Sequence, residues 1–404
     1  MLTGKNIVLG VTGGIAAYKA AEIVRLLVKD GATVRVIMSK NAQQFITPLT
    51  LQTLSGNPVS TDTFSLTQES EIGHIRLADT ADLVVIAPAT ANIIAKLAHG
   101  QADDLLTTVL LATTAPILIA PAMNVHMYAH PLVQENLRKL ASLGYGLIEP
   151  VEGFLACGYE GKGRLAEPED IVEEVRTALT PKDLQGERII VTAGPNAEPI
   201  DPVRFITNRS TGKMGFAMAR VARRRGAEVT LVSGPTALTP PRGVRFYAVR
   251  TAREMQQAVL QHYSQATMVI SAAAIADYRP AHVAPQKIKK GEGKLVIELI
   301  RNPDILADLG QQKGNRLLVG FATETEDVLE NAARKLRNKN LDLIVANDVT
   351  QEGAGFAVDT NIVTLIDRTG QVEALPRLSK DEVAHVVYDR LLALRAKLPE
   401  LEKQ

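Results

Sequence analysis

The sequence predicts an α/β protein with two doubly wound Rossmann-like domains, and three observations support this fold class. Short apolar runs alternate with amphipathic segments along most of the 404 residues. An apolar strand that runs into small residues occurs twice, at residues 7–14 and again at residues 189–195. Aliphatic residues dominate the 46% hydrophobic content, while aromatic residues contribute only 4%, which is typical of helices packed on parallel sheets. A turn from a strand into a helix leaves the first backbone N–H groups of the helix unpaired. The two turns of this kind therefore indicate two sites for phosphate-bearing ligands.

A polar stretch containing proline and glycine, residues 180–187, is the predicted linker. It divides the chain into domains at 1–188 and 189–404. In the first domain we predict strands at 7–11, 33–38, 83–87, 117–120 and 145–148, and helices at 15–29, 91–99, 103–113, 131–143 and 169–179. In the second we predict strands at 189–192, 228–232, 268–272, 317–320 and 343–346, and helices at 212–225, 251–263 and 328–339. Residues 294–299 and 361–366 are predicted as further strands, a hairpin arm and an edge.

Composition narrows the functional class. The net charge of +1 provides no overall attraction to nucleic acid or to a membrane. The single cysteine, Cys157, excludes an internal disulfide and fits a reducing compartment. No apolar run approaches membrane-spanning length, and the N-terminus lacks the features of a signal peptide. We therefore expect a soluble cytoplasmic protein with no nucleic-acid or membrane partner.

The first domain predicts a mononucleotide site rather than a dinucleotide site. Its first turn departs from the G-x-G-x-x-G pattern, and Ser39 and Lys40 follow the second strand where an NAD site normally has an acidic residue. Asn124 follows a buried-type strand, where an asparagine usually forms a turn. His74 alone would be a helix-face or capping residue. Cys157 lies in a glycine-rich segment, which favours a mobile flap over a core position.

Four segments carry a resemblance over about residues 5 to 180: GGIAAYK (13–19), APATAN (87–92), PAMN (121–124) and ACG (156–158). In this order and spacing they resemble the flavin-dependent cysteine decarboxylases, specifically phosphopantothenoylcysteine decarboxylase. The resemblance implies bound FMN, His74 as an essential histidine, Asn124 as the group that holds the substrate, and Cys157 as proton donor. It assigns FMN to residues at the strand ends: Gly13, Gly14, Ser39, Ala89, Thr90, Asn92 and Met123. Such chemistry is plausible because loss of CO₂ from a cysteine carboxylate needs an electron sink that a flavin can create.

The second domain has a glycine turn before a helix, but it lacks the order of a Walker A loop. Its segments DPVR (201–204), STGKMG (210–215), ADY (276–278), KIKK (287–290), NPDI (302–305), GFA (320–322) and AND (346–348) resemble phosphopantothenate–cysteine ligase. Taken alone, the basic run at 287–290 would also fit an exposed hairpin tip. With the ligase after the decarboxylase, the whole chain resembles the bacterial bifunctional coenzyme A biosynthesis proteins.

The ligase resemblance implies the substrates 4′-phosphopantothenate, L-cysteine and CTP, with Mg²⁺. The carboxylate would become an acyl-cytidylate, on which Asn208 is expected to act before cysteine displaces CMP. Asp277 could also reach the metal. The residues assigned to CTP are Ser271, Ala272, Ala273, Asp277, Lys287, Pro303, Asp304, Ile305, Leu306, Phe321, Lys335 and Lys339. The resemblance further implies a homo-oligomer, with trimers through the flavin domain, dimers through the ligase domain and a dodecamer overall.

Two other functions remain open from the residues alone. One is an NAD(P)-dependent oxidoreductase with tandem Rossmann units, which the absence of an acidic residue after Met38 disfavours. The other is a non-catalytic flavin-binding regulator. A zinc site at His126 and His130 is disfavoured because no glutamate follows His126 and Pro131 interrupts the helix.

Overall fold

The computed structural model describes residues 2–63, 73–154, 160–290, 294–324, 328–348, 355 and 358–401. The chain forms two compact units, residues 1–180 and 181–404. This boundary lies at the start of the predicted linker, because the following residues already pack on the second unit. Leu184 is fully buried in that unit's core, and the Arg225 guanidinium pairs with Asp183 at 2.6 Å.

The N-terminal unit is a parallel sheet with helices on both faces, as predicted. Its strands are β1 (Asn6–Val11), β2 (Thr33–Met38), β3 (Leu83–Ala89), β4 (Ile117–Pro121), β5 (Gly146–Leu147), β6 (Val151–Phe154) and β7 (Glu160–Arg164). Its helices are α1 (Ala20–Lys29), α2 (Pro48–Ser55), α3 (Gly73–Thr80), α4 (Ala91–Ala98), α5 (Leu105–Ala112), α6 (Val125–Ala129), α7 (Pro131–Ser142) and α8 (Pro168–Leu179). The main sheet has the order β2-β1-β3-β4-β5, and β6 and β7 form a separate antiparallel hairpin. The chain changes direction across the sheet between β1 and β3, which is where such folds bind ligands.

The C-terminal unit is built on a larger sheet. Its strands are β8 (Arg188–Ala193), β9 (Ala197–Pro199), β10 (Phe205–Thr207), β11 (Glu228–Ser233), β12 (Arg245–Ala248), β13 (Met268–Ser271), β14 (Tyr278–Pro280), β15 (Leu299–Arg301), β16 (Leu317–Glu324), β17 (Leu343–Asp348), β18 (Thr360–Asn361), β19 (Val363–Asp367), β20 (Val372–Ala374) and β21 (Leu378–Ser379). Its helices are α9 (Lys213–Arg224), α10 (Ala252–Tyr263), α11 (Ile305–Gln311), α12 (Val328–Asn338) and α13 (Lys380–Leu401). The sheet order is β12-β11-β8-β13-β16-β17-β19-β20, in which β19 and β20 run antiparallel. The switch point lies between β8 and β13.

Apolar side chains from both faces of each sheet form the cores. In the N-terminal unit, Leu9 and Val85 belong to one buried layer, and Val8 and Val84 to the other. The alternation along β1 and β3 therefore fills both faces, as a doubly covered parallel sheet requires. Among the described residues, no helix is long and apolar enough to cross a membrane.

Three predicted elements differ from the structure. The predicted helix 15–29 is a 3₁₀ turn, Ile15–Lys19, followed by α1. The predicted strand 294–299 is wrong except at its last residue, because the pairing with β14 is made by β15. The predicted strand 361–366 is interrupted, with β18 pairing β21 and β19 pairing β17. Helix α13 was not predicted, although its buried Val383, Val387 and Leu391 recur at four-residue spacing.

Candidate functional site

The first candidate site lies at the switch point of the N-terminal sheet. The buried Thr12 hydroxyl at the end of β1 donates to the Pro88 carbonyl oxygen at 2.7 Å. The same hydroxyl accepts a hydrogen bond from the Thr90 backbone N–H at 3.1 Å. These two bonds join the carboxyl ends of β1 and β3, so the turns that follow the two strands are held side by side.

The structure brings the residues assigned to FMN to this edge of the sheet. They are Gly13 and Gly14 after β1, Ser39 after β2, Ala89 and Thr90 at the end of β3, Asn92 in the first turn of α4, and Met123 after β4. A Cβ atom on Gly13 would lie 2.4 Å from Cβ of Asn41, whereas one on Gly14 would meet only Cγ2 of Thr90, at 3.7 Å. Close backbone approach therefore requires glycine at the first position. The small residues and backbone groups of this edge suit a flavin that carries a phosphate.

Asn124 is positioned by the start of α6. Its Oδ1 accepts a hydrogen bond from the His126 backbone N–H at 2.8 Å, which is the turn expected of an asparagine after a strand. This bond fixes the plane of the amide group, whose NH₂ end can only donate. The observed turn is compatible with the substrate-binding role that the sequence predicts for Asn124.

The β6–β7 hairpin packs against this same segment. The Met123 backbone N–H donates to the Gly163 carbonyl oxygen at 2.9 Å. A Cβ atom on Gly163, whose φ is +156°, would lie 2.4 Å from the Met123 carbonyl oxygen. The strands pair as far as Phe154 and Glu160. Cys157, which lies between these strands in the sequence, is outside the described residues.

His74 is half-buried in the first described turn of α3. Helix α3 packs beside α5, where the Thr113 hydroxyl donates to the Ala78 carbonyl oxygen at 3.0 Å. In the described parts of the chain, no hydrogen bond connects His74 to Asn124 or to the turns after β1 and β3. The role assigned to this histidine stays a prediction.

The second candidate site consists of two adjoining cavities at the switch point of the C-terminal sheet, each of about 490 Å³. Five residues line both cavities: Ala273, Ile275, Asp277, Phe321 and Lys335. The first, which we call the Asn208 cavity, is bounded by the loop before α9 and by the start of α13. The second, which we call the α11 cavity, is bounded by the start of α11 and by the end of α12.

Most residues assigned to CTP line the α11 cavity: Ser271, Ala273, Asp277, Pro303, Asp304, Ile305, Leu306, Phe321, Lys335 and Lys339. Ala272 lines the Asn208 cavity instead. The Lys339 ammonium pairs with Asp304 at 2.8 Å, and Asp304 also caps α11 by accepting from the Ala307 backbone N–H. Asn208 is exposed, and its side-chain amide donates to the Ala274 carbonyl oxygen at 3.0 Å. Lys335 and Lys339, which are four residues apart, both line the α11 cavity.

Lys287 lines neither cavity, but a buried carboxylate fixes the adjacent residue. Asp201 accepts hydrogen bonds from the Arg204 guanidinium at 2.6 and 3.0 Å and from the Ile288 backbone N–H at 3.1 Å. The Arg204 guanidinium also donates to the Ile288 carbonyl oxygen at 2.8 Å. The Arg204 side chain, followed by the backbone N–H donors, holds the pKa of Asp201 well below its usual range despite burial. The base of the lysine-rich loop is thereby attached to the 201–204 turn.

A buried polar network that we did not predict supports the edge shared by the cavities. The Asn196 side chain accepts from the Ala276 backbone N–H at 2.7 Å and donates to Glu198. Glu198 also accepts from the Asn302 amide at 3.2 Å, and that amide donates to the Ala276 carbonyl oxygen at 2.8 Å. The sequence signal that could have revealed this network is the presence of polar residues directly after the glycine turn, since buried polar groups need hydrogen-bond partners. The network fixes the segments before Asp277 and Pro303.

Asp277, the candidate metal ligand, is exposed and lines both cavities. Among the residues that the structure describes, no three histidine, cysteine, aspartate or glutamate side chains converge on one point. Mg²⁺ often binds through one or two carboxylates together with substrate phosphates. The donor set fits a metal that arrives with a nucleotide rather than one held by the protein alone.

Comparison with known proteins gives two family matches. Residues 1–180 match the family described as "Flavoprotein", and residues 184–394 match the "DNA/pantothenate metabolism flavoprotein C-terminal domain". The chain is 52% identical over 398 residues to the coenzyme A biosynthesis bifunctional protein CoaBC of Bacillus subtilis (strain 168), covering 98% of each chain. It is 49% identical to the protein of the same name from Vibrio cholerae serotype O1, covering 96% of this chain and 99% of that one. A crystal structure of the C-terminal domain of a CoaBC protein is 48% identical and covers 54% of this chain and 99% of that domain, with a TM-score of 0.46.

Proposed function

The chain belongs to the family of bifunctional coenzyme A biosynthesis proteins, and from this premise we propose that its ligase step uses CTP with Mg²⁺ and that its flavin is FMN. As a member of the family, the chain is an enzyme with two activities. It ligates cysteine to phosphopantothenate and decarboxylates the product. Family membership sets aside the tandem NAD(P) oxidoreductase and the non-catalytic regulator.

The observation that carries the ligase proposal is the pair of adjoining cavities with different linings. The α11 cavity presents two lysines and the start of a helix, which suit a nucleotide. The Asn208 cavity, which shares Asp277 and Phe321 with it, offers room for the carboxylate substrate. A carboxylate is a poor electrophile, so its oxygen would first attack the α-phosphorus and release pyrophosphate. Cationic side chains favour this step because they neutralise charge on the leaving group.

Asn208 lies beside the space where the activated carboxylate would form. Its amide is held by the Ala274 carbonyl oxygen, which is part of the segment after β13. We assign it to orient the acyl-cytidylate for attack by the amine of cysteine, since an amide can donate to a carbonyl oxygen without changing its own charge. Lys287 belongs to the same proposal as an exposed cation beside Ile288, whose backbone is held by Asp201.

The decarboxylase proposal rests on the arrangement of Asn124 and the β6–β7 hairpin. A bound flavin would supply the two-electron redox chemistry that labilises the carboxylate of the cysteine moiety. The Asn124 amide would donate to that carboxylate, and as a neutral group it would not oppose the loss of CO₂ as an ion pair would. Cys157, which precedes in the sequence the hairpin strand β7 that contacts α6, would supply a proton, because an ordinary thiol is mostly protonated at neutral pH.

The assembly and the cellular location belong to the same proposal. We infer a homo-oligomer, with trimers through the flavin domain and dimers through the ligase domain. A dodecamer would combine the two interfaces, and the place of action would be the cytoplasm. Size-exclusion chromatography with light scattering would measure the mass of the assembly.

One experiment tests both chemistries. The purified chain is incubated with phosphopantothenate, cysteine, CTP and Mg²⁺, and the products are followed by mass spectrometry and by pyrophosphate release. We expect phosphopantetheine, CMP and pyrophosphate, and a flavin absorption spectrum in the enzyme. Parallel reactions with ATP or UTP, and with EDTA, test the nucleotide and the metal. Equal turnover with all three nucleotides, or full turnover in EDTA, would contradict the corresponding part of the proposal.

A further inference from the structure

Lys380, the first residue of α13, is a buried lysine on the wall of the Asn208 cavity. Only 6% of the Lys380 surface is exposed. Its ammonium donates to Oδ1 of Asn361 at 2.7 Å and to the Thr360 carbonyl oxygen at 3.1 Å. Both acceptors are uncharged, and within the described part of the chain no carboxylate lies within ion-pair distance of this ammonium. A buried charge without a counter-ion is costly, so its retention calls for an explanation.

Lys213 lines the same cavity from the first residue of α9. Its ammonium pairs at 2.7 Å with Asp359, a side chain that is 88% exposed. Pairs with so exposed a partner contribute little and exchange readily. Lys213 and Lys380 therefore border the cavity from the starts of two separate helices, and Lys335 lines it from α12.

Both lysines occupy helix positions that normally favour the opposite charge. The N-terminus of a helix carries partial positive charge, which stabilises anions and disfavours cations. The start of α13 is nevertheless well formed, since Ser379 and Glu382 cap it reciprocally. Gly212 precedes α9 in the left-handed conformation, with φ of +80°, and lines the same cavity. Two helix starts and two ammonium groups thus create a positive field in one cavity.

We propose that Lys213 and Lys380 form a phosphate-binding subsite in the Asn208 cavity. The subsite rests on the proposed ligase function, whose substrates offer two phosphate sources. One is the triphosphate of the nucleotide in the adjoining α11 cavity, and the other is the terminal phosphate of phosphopantothenate. The bound phosphate supplies a counter-ion that the described residues do not provide for Lys380, so binding offsets part of the cost of burying the ammonium.

The titration behaviour of Lys380 agrees with this role. Burial, and then repulsion from Lys213, lower the pKa of Lys380 to about 8, while Asp359 opposes the shift. A dianionic ligand beside the ammonium would raise the pKa again, because it favours the charged form.

The first test measures binding without turnover. Full-length protein and the variant Lys380→Met are titrated calorimetrically with inorganic pyrophosphate and, separately, with phosphopantothenate. We expect at least one of the two ligands to bind the variant about tenfold more weakly or worse, as for loss of a charge-assisted hydrogen bond. Lys397→Met, which makes the same substitution on the exposed end of α13, should bind as the parent protein does. Unchanged affinity for both ligands in Lys380→Met would overturn the subsite.

A second variant separates binding from a structural role. Asn361→Asp places a carboxylate where Oδ1 already lies 2.7 Å from the Lys380 ammonium. Its pairing with Lys380 should maintain or raise the melting temperature, and its charge should weaken phosphate binding. Lys380→Met should change the melting temperature little, since removal of a buried charge offsets the loss of the two hydrogen bonds that the ammonium donates. A lower melting temperature for Lys380→Met, together with unchanged ligand affinity in Asn361→Asp, would show that the lysine is only structural.

Steady-state kinetics identify the source of the phosphate. A rise in KM for CTP alone assigns the subsite to the triphosphate, and a rise in KM for phosphopantothenate alone assigns it to the terminal phosphate. If both constants stay within twofold in Lys380→Met, the subsite is refuted. Absence of CTP-dependent turnover in the parent protein would refute the proposed function instead, and the titrations above would still decide the subsite.

Discussion

Helix α13 is anchored to α9 by a carboxylate between two arginines, and removing this charge should destabilise the C-terminal unit. Asp381 accepts from the Arg220 guanidinium at 2.5 Å and from the Arg224 guanidinium at 2.7 Å. Burial by itself would raise its pKa, but Arg220 and Arg224 outweigh that effect and lower the pKa from 3.8 to about 2. The difference between the unfolded and folded pKa values corresponds to about 2.5 kcal/mol of folding free energy, at about 1.4 kcal/mol per pKa unit.

The sign of the pH dependence follows from the lowered pKa. The stabilisation is fully present above the unfolded value of 3.8 and is lost as the pH falls through about 2. We therefore expect Asp381→Asn to reduce the free energy of unfolding by about 2.5 kcal/mol at pH 7 and by about half as much at pH 3. Hydrogen exchange of peptides from α9 and α13 in increasing urea measures this free energy locally.

A matched substitution lies on the same helix. Asp389 also pairs with an arginine, Arg225, at 2.7 Å, but its side chain is 66% exposed and Asp183 pairs with the same guanidinium. Asp389→Asn should therefore cost less than about 1 kcal/mol. The reasoning would be refuted if the two variants lost equal stability, or if the loss in Asp381→Asn were the same at pH 7 and pH 3.

Three further predictions concern the two sites. Asp201→Asn should lower ligase kcat/KM about tenfold or more by loosening the loop that carries Lys287, while decarboxylation of supplied phosphopantothenoylcysteine stays unchanged; equal losses in both assays would contradict this. Gly13→Ala should release the flavin, because the new methyl group would overlap Asn41, whereas Gly14→Ala should retain it. Flavin absorbance after desalting measures the retention, and equal retention in the two variants would contradict the close approach at Gly13. Cys157→Ser should keep the flavin but stop product formation and accumulate the decarboxylated, still oxidised product, detected by mass spectrometry, because a hydroxyl is a far weaker acid than a thiol; normal product formation would contradict the donor role.

The sheets could be predicted because their strands are buried on both faces. Residues such as Leu9, Val85 and Ile270 belong to nearly continuous apolar runs, which few other arrangements can accommodate. The strand orders were not predicted, since they depend on which runs pair in space. The C-terminal sheet also adds antiparallel strands beyond β17, where the alternation of strand and helix ends.

The candidate sites were predictable only in part. Local motifs identify Asn208, Asp277 and Lys335, and the structure brings these residues to one pair of cavities. Glu198 and Lys380 escaped prediction because their importance depends on distant partners. Glu198 contacts Asn302, more than 100 positions along the chain, and Lys380 reaches the Asn208 cavity only through the packing of α13 on α9.

The two switch points differ in charge, and this difference explains how similar sheets can serve different reactions. In the 3₁₀ turn that follows β1 in the N-terminal unit, Lys19 is buried and its ammonium is paired with Glu167 at 2.7 Å, so its charge is neutralised within the protein. In the C-terminal unit, Lys335 and Lys380 border the cavities themselves. An edge made mainly of small residues leaves room for a flat ring system, whereas an edge with several cations favours polyphosphates. Redox chemistry and carboxylate activation therefore require different side chains at the same position of the fold, not different folds.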